Sequence, residues 1–297
     1  MNGIICVNKP QDFTSFDVVA KLRGILGMKR LGHGGTLDPM ATGVLPIFVG
    51  GATKACDIMP NTTKIYRANF RLGVSTDTQD ITGKTVFQSD KDVSEENLLE
   101  VIPEFTGKIM QIPPMYSAVQ VNGQRLYDLA RKGIEIERES REIEVFELKL
   151  ECYDEASREG ILQINCSKGT YIRTIISDIG DKLGCGGIMT SLVRTSSGGF
   201  TLKECYTFEQ LQQARDENRI ESLIQPIERV FDNLPKLRLN EVQTRMYRNG
   251  VKLDLDRLHN ILDDCDVYGV YGFDGIFIGT ALAEHENKVL RVGKNFI

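Results

Sequence analysis

The chain has 297 residues, 41% of them hydrophobic, enough apolar material for one large core or for two domains. A formal net charge of −5 excludes a binder that works through a global basic excess, but a local basic face can still engage phosphates. No apolar run is long enough to span a bilayer, so no membrane partner is expected.

The first ten residues carry neither a basic n-region nor a long apolar h-region, which predicts no secretory signal and a cytoplasmic protein. Seven cysteines (6, 56, 152, 166, 185, 205, 265) are scattered without a Cys-x-x-Cys pair, and there are three histidines. That pattern supports neither a zinc site nor a disulfide frame; free thiols in a reducing compartment are expected. Asn8 to Ser15 reads as a loop leading into a helix capped by Thr14 or Ser15, with Asp17 favourable in the first turn. Val18, Val19, Leu22, Ile25 and Leu26 share one helical face, and Gly27 ends the helix. Lys9, judged locally, is a solvated surface lysine. Lys29 and Arg30 form a small basic cluster.

In the stretch from Arg30 to Gly50, four glycines (32, 34, 35, 43) surround one carboxylate, Asp38, placed before Pro39. A residue before proline is pushed toward extended conformations, and proline fixes its own φ, so Asp38 is expected on a stiff, non-helical step. By local chemistry alone it could equally be a surface turn. Val44 to Val49 reads as a buried strand anchoring this loop.

The run His33-Gly-Gly-Thr-Leu-Asp-Pro-Met-Ala-Thr-Gly-Val-Leu-Pro46 resembles the catalytic motif of bacterial tRNA pseudouridine-55 synthases. The resemblance implies that Asp38 is the catalytic residue, acting as nucleophile, on a loop that includes Gly35 and Pro39. It also implies that His33 contacts substrate. The preceding Lys9-Pro10, with Thr14-Ser15, resembles the family's first motif, which supports that loop. One departure is visible: Gly34 stands where the family usually has threonine, which removes a hydroxyl and is expected to loosen the loop.

Lys64 to Gly73 alternates as a half-buried strand, with Tyr66, Ala68, Phe70 and Leu72 on one face. Tyr66 is a core tyrosine on this pattern. Lys-x-Tyr also resembles the family's second motif, which implies that Tyr66 stacks on the target base. Asp77 and Asp80 lack the alternating spacing of a calcium loop and read as a capped turn. Asp92 or Ser94 starts a helix with Leu98, Leu99, Ile102 and Phe105 inward, shortened by Pro103. Gln111 to Ala118 and Asn122-Gly123 are turn-rich, and Arg125 to Gly133 is a short helix stopped by glycine. From 107 to 141, six Lys/Arg face four acids, with few core-type positions from 114 to 138. Mixed charge alone is a solvated face. The resemblance implies a mobile insertion, about 108–141, that closes over RNA.

Ile143, Val145, Leu148, Leu150 and Cys152 alternate with a change of phase near Phe146, predicting a bulged strand. Leu162, Ile164 and Cys166 form another strand. Ser167 to Thr170 turns into a helix with Ile172, Ile175, Ile176, Ile179 and Leu183 on one side. Arg173 lies off that stripe, which by itself predicts an exposed arginine. Cys-Ser-Lys-Gly-Thr-Tyr-Ile-Arg-Thr174 resembles the family's third motif. It implies that Arg173 pairs with Asp38, that Tyr171 lines the pocket and that Leu192 packs near the base. Thr207-x-x-Gln210 is a capping box. Pro226 and Pro235 flank an expected linker. Beyond it come a helix over 240–249 and short strands over 267–296 with an Asp274-Gly275 turn. From 250 onward, five Lys/Arg face eight acids.

The residues predict a separate small domain over 231–297, α/β or mostly β; the resemblance implies an α+β fold, with a mixed, largely antiparallel central sheet and flanking helices over 1–230, and a small C-terminal domain of an RNA-binding type, mainly β. The resemblance implies isomerisation of uridine 55 in the tRNA T-loop to pseudouridine by base flipping, in a monomer, without cofactor or metal. The residues alone leave Asp38 free to attack base or sugar, or to take a proton and give a glycal. Two other classes remain on sequence grounds: a non-catalytic RNA binder, and a glycosidic hydrolase, which a lone carboxylate disfavours.

Overall fold

The computed structural model describes residues 1–296. Its larger sheet contains β1 (Gly3–Lys9), β2 (Leu31–His33), β3 (Thr42–Val49), β4 (Lys64–Leu72), β5 (Gly107–Gln111), β6 (Arg141–Asp154), β7 (Glu159–Cys166), β8 (Gly187–Ser197) and β9 (Phe200–Thr201). The order is β1-β3-β8-β4-β7-β6-β5, with β2 beside β3 and β9 beside β8. Neighbours are antiparallel except β3 and β8, which run parallel through Val193–Thr42 and Arg194–Gly43. The class is the expected α+β. On β4 the predicted alternation holds: Tyr66, Ala68, Phe70 and Leu72 are buried, while Arg67 reaches out to Glu151 at 2.6 Å. The phase change in β6 is a bulge, with the register shifting between Val145 and Glu147 and Phe146 turned outward.

Helix α1 (Ser15–Leu26) opens on a Thr14–Asp17 capping box and ends at Gly27, whose φ of 64° suits glycine. It packs with α5 (Phe208–Asp216) against one face of β1 and β3. Helix α4 (Ile172–Lys182) buries its isoleucines against β4, β7 and β8, as the stripe predicts. The expected helix near Asp92 is α2 (Glu95–Val101), capped by Ser94. Leu98 and Ile102 are buried there, but Leu99 is 52% exposed, contrary to expectation. Leu99 lies one position round from the buried face, which 98 and 102 share with the partly buried Val101 and Phe105 as the helix tightens into a 3₁₀ turn over Ile102–Phe105.

The expected linker between Pro226 and Pro235 is not a loose one. Ile227, Val230 and Phe231 are buried in a 3₁₀ turn, because Phe231 packs on Phe277 and Phe296 with ring centroids 5.6 and 5.5 Å away. The second sheet comprises β10 (Lys236–Arg238), β11 (Leu253–Asp254), β12 (Val267–Tyr271), β13 (Phe277–Glu284) and β14 (Val289–Asn295), ordered β10-β12-β13-β14-β11. Helix α6 (Glu241–Arg248) packs on it through Tyr247. Tyr271, Phe277 and Phe296 join Ile4, Val44 and Phe48 in one cluster, so the second sheet seals the other face of β1 and β3.

The stretch between β5 and β6 differs from its expected poverty in core positions. Met115, Leu126 and Leu129 form a small buried cluster of their own, around α3 (Leu126–Ala130) and the Asn122-Gly123 hairpin.

Candidate active site

Asp38 lies on the loop between β2 and β3, and two buried cations hold that loop by its carbonyl oxygens. Lys9, fully buried, donates to Pro10 O at 2.9 Å, Phe13 O at 2.5 Å and Pro39 O at 3.1 Å. The solvated lysine expected from local chemistry is thus a structural brace under Pro39. Burial pulls its ammonium down to about 8, against the opposing pull of the Asp38 charge. Arg194, also fully buried, donates to Val44 O at 2.8 Å, Thr36 O at 3.2 Å and Gly35 O at 3.3 Å. Gly35 has a φ of 138°, which favours glycine. At Gly43 a Cβ would lie 2.2 Å from the Arg194 carbonyl, so the parallel β3–β8 pairing needs glycine there. Ser15 Oγ accepts from Leu37 N at 2.8 Å, and Asp12 N donates to Pro39 O at 2.9 Å.

At Gly34, where loosening is expected, the backbone is hydrogen-bonded and the space beside it is filled. Its N–H donates to Pro46 O at 2.9 Å, continuing the β2–β3 ladder, and a Cβ there would press on the Phe48 ring at 3.1 Å.

Arg173 Nε stands 3.0 Å from Asp38 Oδ2. The arginine is 4% exposed, not the exposed helical residue its position off the stripe suggests. Four acceptors from three segments surround it: Asp38, Asp80 Oδ2 at 3.7 Å from Nη1 with Thr78 O of the same turn at 3.0 Å, and Tyr116 O at 3.0 Å. Asp80 does cap its turn, since Oδ1 accepts from Thr82 N at 2.9 Å, Thr82 Oγ1 at 2.6 Å and Thr78 Oγ1 at 2.7 Å. The same carboxylate is a second counter-charge for Arg173. Asp38 keeps 38% of its side chain exposed, and among the described residues no hydrogen bond reaches its Oδ1.

Tyr66 and Leu192 are buried with Leu37 and Ala41 beneath the loop. Burial raises the Tyr66 phenol above its usual value. Tyr171 sits at the start of α4, where Gln111 grips its main chain: Tyr171 N donates to Oε1 at 2.9 Å, and Nε2 donates to Tyr171 O at 3.0 Å. His33 closes β2 with Nδ1 buried and unpartnered; burial, then the Arg194 charge, hold its imidazole below the usual range. No contact among the described residues joins His33 to Asp38. Sequence reasoning missed Asp80, Arg194 and Gln111. The available signal was for Arg194, which shares a strand face with Leu192. Among the described residues no group of three or more His, Cys, Asp or Glu is placed to hold a metal.

A family model described as the N-terminal domain of TruB family pseudouridylate synthase matches residues 23–172. That range holds Asp38, Tyr66 and Tyr171. This chain belongs to the TruB family. The tRNA pseudouridylate synthase B C-terminal domain model matches residues 173–232 of this TruB-family chain, so the Arg173–Asp38 pair joins the two matched regions. Among curated relatives, tRNA pseudouridine synthase B of Clostridium tetani is 44% identical over 94% of this chain and 94% of the relative. The protein of the same name from Pediococcus pentosaceus is 42% identical over 88% and 90%. Among solved structures, a Cbf5–Nop10–Gar1 complex matches with a TM-score of 0.77 at 26% identity, covering 99% of this chain and 85% of that one. As a TruB-family pseudouridylate synthase the chain is an isomerase.

Proposed function

We propose that this isomerase converts uridine 55 in the T-loop of tRNA to pseudouridine, with Asp38 as nucleophile. The Asp38–Arg173 pair carries the reading. A guanidinium 3.0 Å from Oδ2 gives the carboxylate a counter-charge, while Oδ1 has no hydrogen bond among the described residues and the side chain stays 38% exposed. The reaction breaks C1′–N1, rotates the base and joins C1′ to C5. C5 loses a proton and N1 gains one, so no electrons and no external group are required. A hydrolase reading is weaker, because paired-carboxylate hydrolysis needs a free second acid. Asp80 has both oxygens engaged.

The target base leaves its stack at a cost of a few kcal/mol. Tyr66, Tyr171 and Leu192 receive it, and stacking returns about 1–3 kcal/mol. His33 fills the space that the base vacates. The insertion at about 108–141 clasps the T-stem-loop; Arg125, Arg131 and Lys132 line a concavity on its surface. Residues 231–297 form an accessory RNA-contacting domain beside the catalytic domain of 1–230. One chain supplies every site residue, which suits a monomer. Seven free thiols suit the cytoplasm, and no helix among the described residues is long and apolar enough to cross a membrane. The test is incubation with tRNA that lacks the modification, followed by nucleoside analysis and mapping of the altered position. Pseudouridine at position 55 is expected. Free uracil would mark a hydrolase, and unchanged tRNA a binder.

A further inference from the structure

Lys64 opens β4 two residues before Tyr66 and therefore lies on the same face of the strand. Its ammonium reaches the loop of Asp38. A Cβ built on Gly35 would lie 3.4 Å from Lys64 Nζ and 3.7 Å from Arg194 Nη1, so two cations converge on the bare backbone of one glycine. Lys9 and Lys64 then differ sharply. Lys9 gives its donors to three carbonyls. Lys64, only partly exposed, has no hydrogen-bond or ion-pair partner among the described residues. Its cationic neighbours are Arg194 and Lys168, and burial with the Arg194 charge pulls its ammonium down to about 8.

Like charges held together at a partly dry site cost stability unless an anion joins them. An RNA substrate brings an anion at every nucleotide, and at Gly35 the missing side chain lets the two cations close on the backbone and on each other. We propose that Lys64, with the buried charge of Arg194 behind it, forms a phosphate subsite beside Gly35 that holds one backbone phosphate next to the target uridine. The inference rests on the tRNA-modifying reading above. Arg194 is already engaged with carbonyls, so Lys64 supplies the free donors. The contact orients the strand so that the base enters between Tyr66 and Asp38.

The probe is a T-stem-loop RNA with a single methylphosphonate placed either 5′ or 3′ of the target uridine. Binding of each RNA is titrated across salt for the wild type, Lys64→Gln and Lys64→Arg, with a melting curve for each. Lys64→Gln should bind unmodified RNA about tenfold more weakly, with the salt slope reduced by roughly one. Lys64→Arg should recover most of that affinity. One of the two methylphosphonates should weaken the wild type by about tenfold and cost Lys64→Gln nothing further. A wild-type salt slope in Lys64→Gln, or equal methylphosphonate penalties in both proteins, would overturn the proposal. Binding needs no turnover. If the wild type makes no pseudouridine in the unmodified RNA, the functional reading fails, while the slopes still decide the role of Lys64.

Discussion

The Asp38 loop and the 108–141 insertion meet at one residue and are held in opposite ways. The loop has its carbonyls at 35, 36, 39 and 44 pinned by the buried side chains of Lys9 and Arg194, which come from β1 and β8. The insertion carries its own small cluster and its own hydrogen bonds, such as Leu126 N to Val119 O at 2.8 Å. Strand β5 roots it in the larger sheet, and beyond that strand its hydrogen bond to the site is the Tyr116 carbonyl on Arg173, beside Gln111 of β5 on Tyr171. Arg173 thus touches a rigid partner through Nε and a self-contained one through Nη2. On the proposed reading, a reacting carboxylate fixed by buried charge and a lightly fastened segment that closes over RNA are the two halves of the site.

Replacing Arg194 with leucine breaks the rigid half. Three carbonyls lose their donor, and an unmet buried polar group costs about 1–3 kcal/mol, partly offset by removing a buried charge. Urea unfolding should show a net loss of about 3 kcal/mol, together with loss of saturating turnover. Wild-type stability with normal turnover would mean that the loop holds itself.

Removing residues 114–138 breaks the lighter half. Gln111 and Arg141 are paired directly across β5 and β6, so a short turn can rejoin them. The melting temperature should move by only about 2 °C, because the lost cluster is separate from the main core. A tRNA titration should show at least about tenfold weaker binding. A variant that binds normally, or one that fails to fold, would contradict the light attachment.

The smallest effect concerns Asp178, on the helix that carries Arg173. Burial, then the Asp181 charge, raise its carboxyl to about 6 from an ordinary value of 3.8. Between those values the folded state binds more protons than the unfolded chain, so stability falls as pH rises through this window. Asp178→Asn should therefore melt higher than wild type at pH 7.5, with the gap closing as pH falls toward 4. A gap independent of pH would show that desolvation of this carboxylate is not the cause.

Much of this molecule is legible in its residues. The bulge at Phe146 follows from a change of phase, and the capping boxes at Thr14 and Thr207 follow from three-residue spacing. The burial of Lys9 and Arg173 is invisible to local pattern, because the groups that satisfy them lie up to 30 and 135 residues away in sequence. Family resemblance implied a role for each beside the Asp38 loop, not its burial. Asp80 and Arg194 escaped for a related reason: each does a recognisable local job, capping a turn or filling a strand position, and a second one in the site. Leu99 was misplaced because it stands one position, about 100°, round the α-helix from Leu98, outside the face that 98, 101, 102 and 105 share.

The most direct test of the account is Asp38→Asn, which keeps the side chain's shape and removes its charge. Unmodified tRNA would be incubated with the variant at saturating protein for many wild-type half-lives, with pseudouridine mapped by position and binding titrated in parallel. No pseudouridine at position 55, with affinity within about threefold of wild type, is the predicted result. Substantial pseudouridine at that position would contradict the assignment of Asp38 as the reacting group.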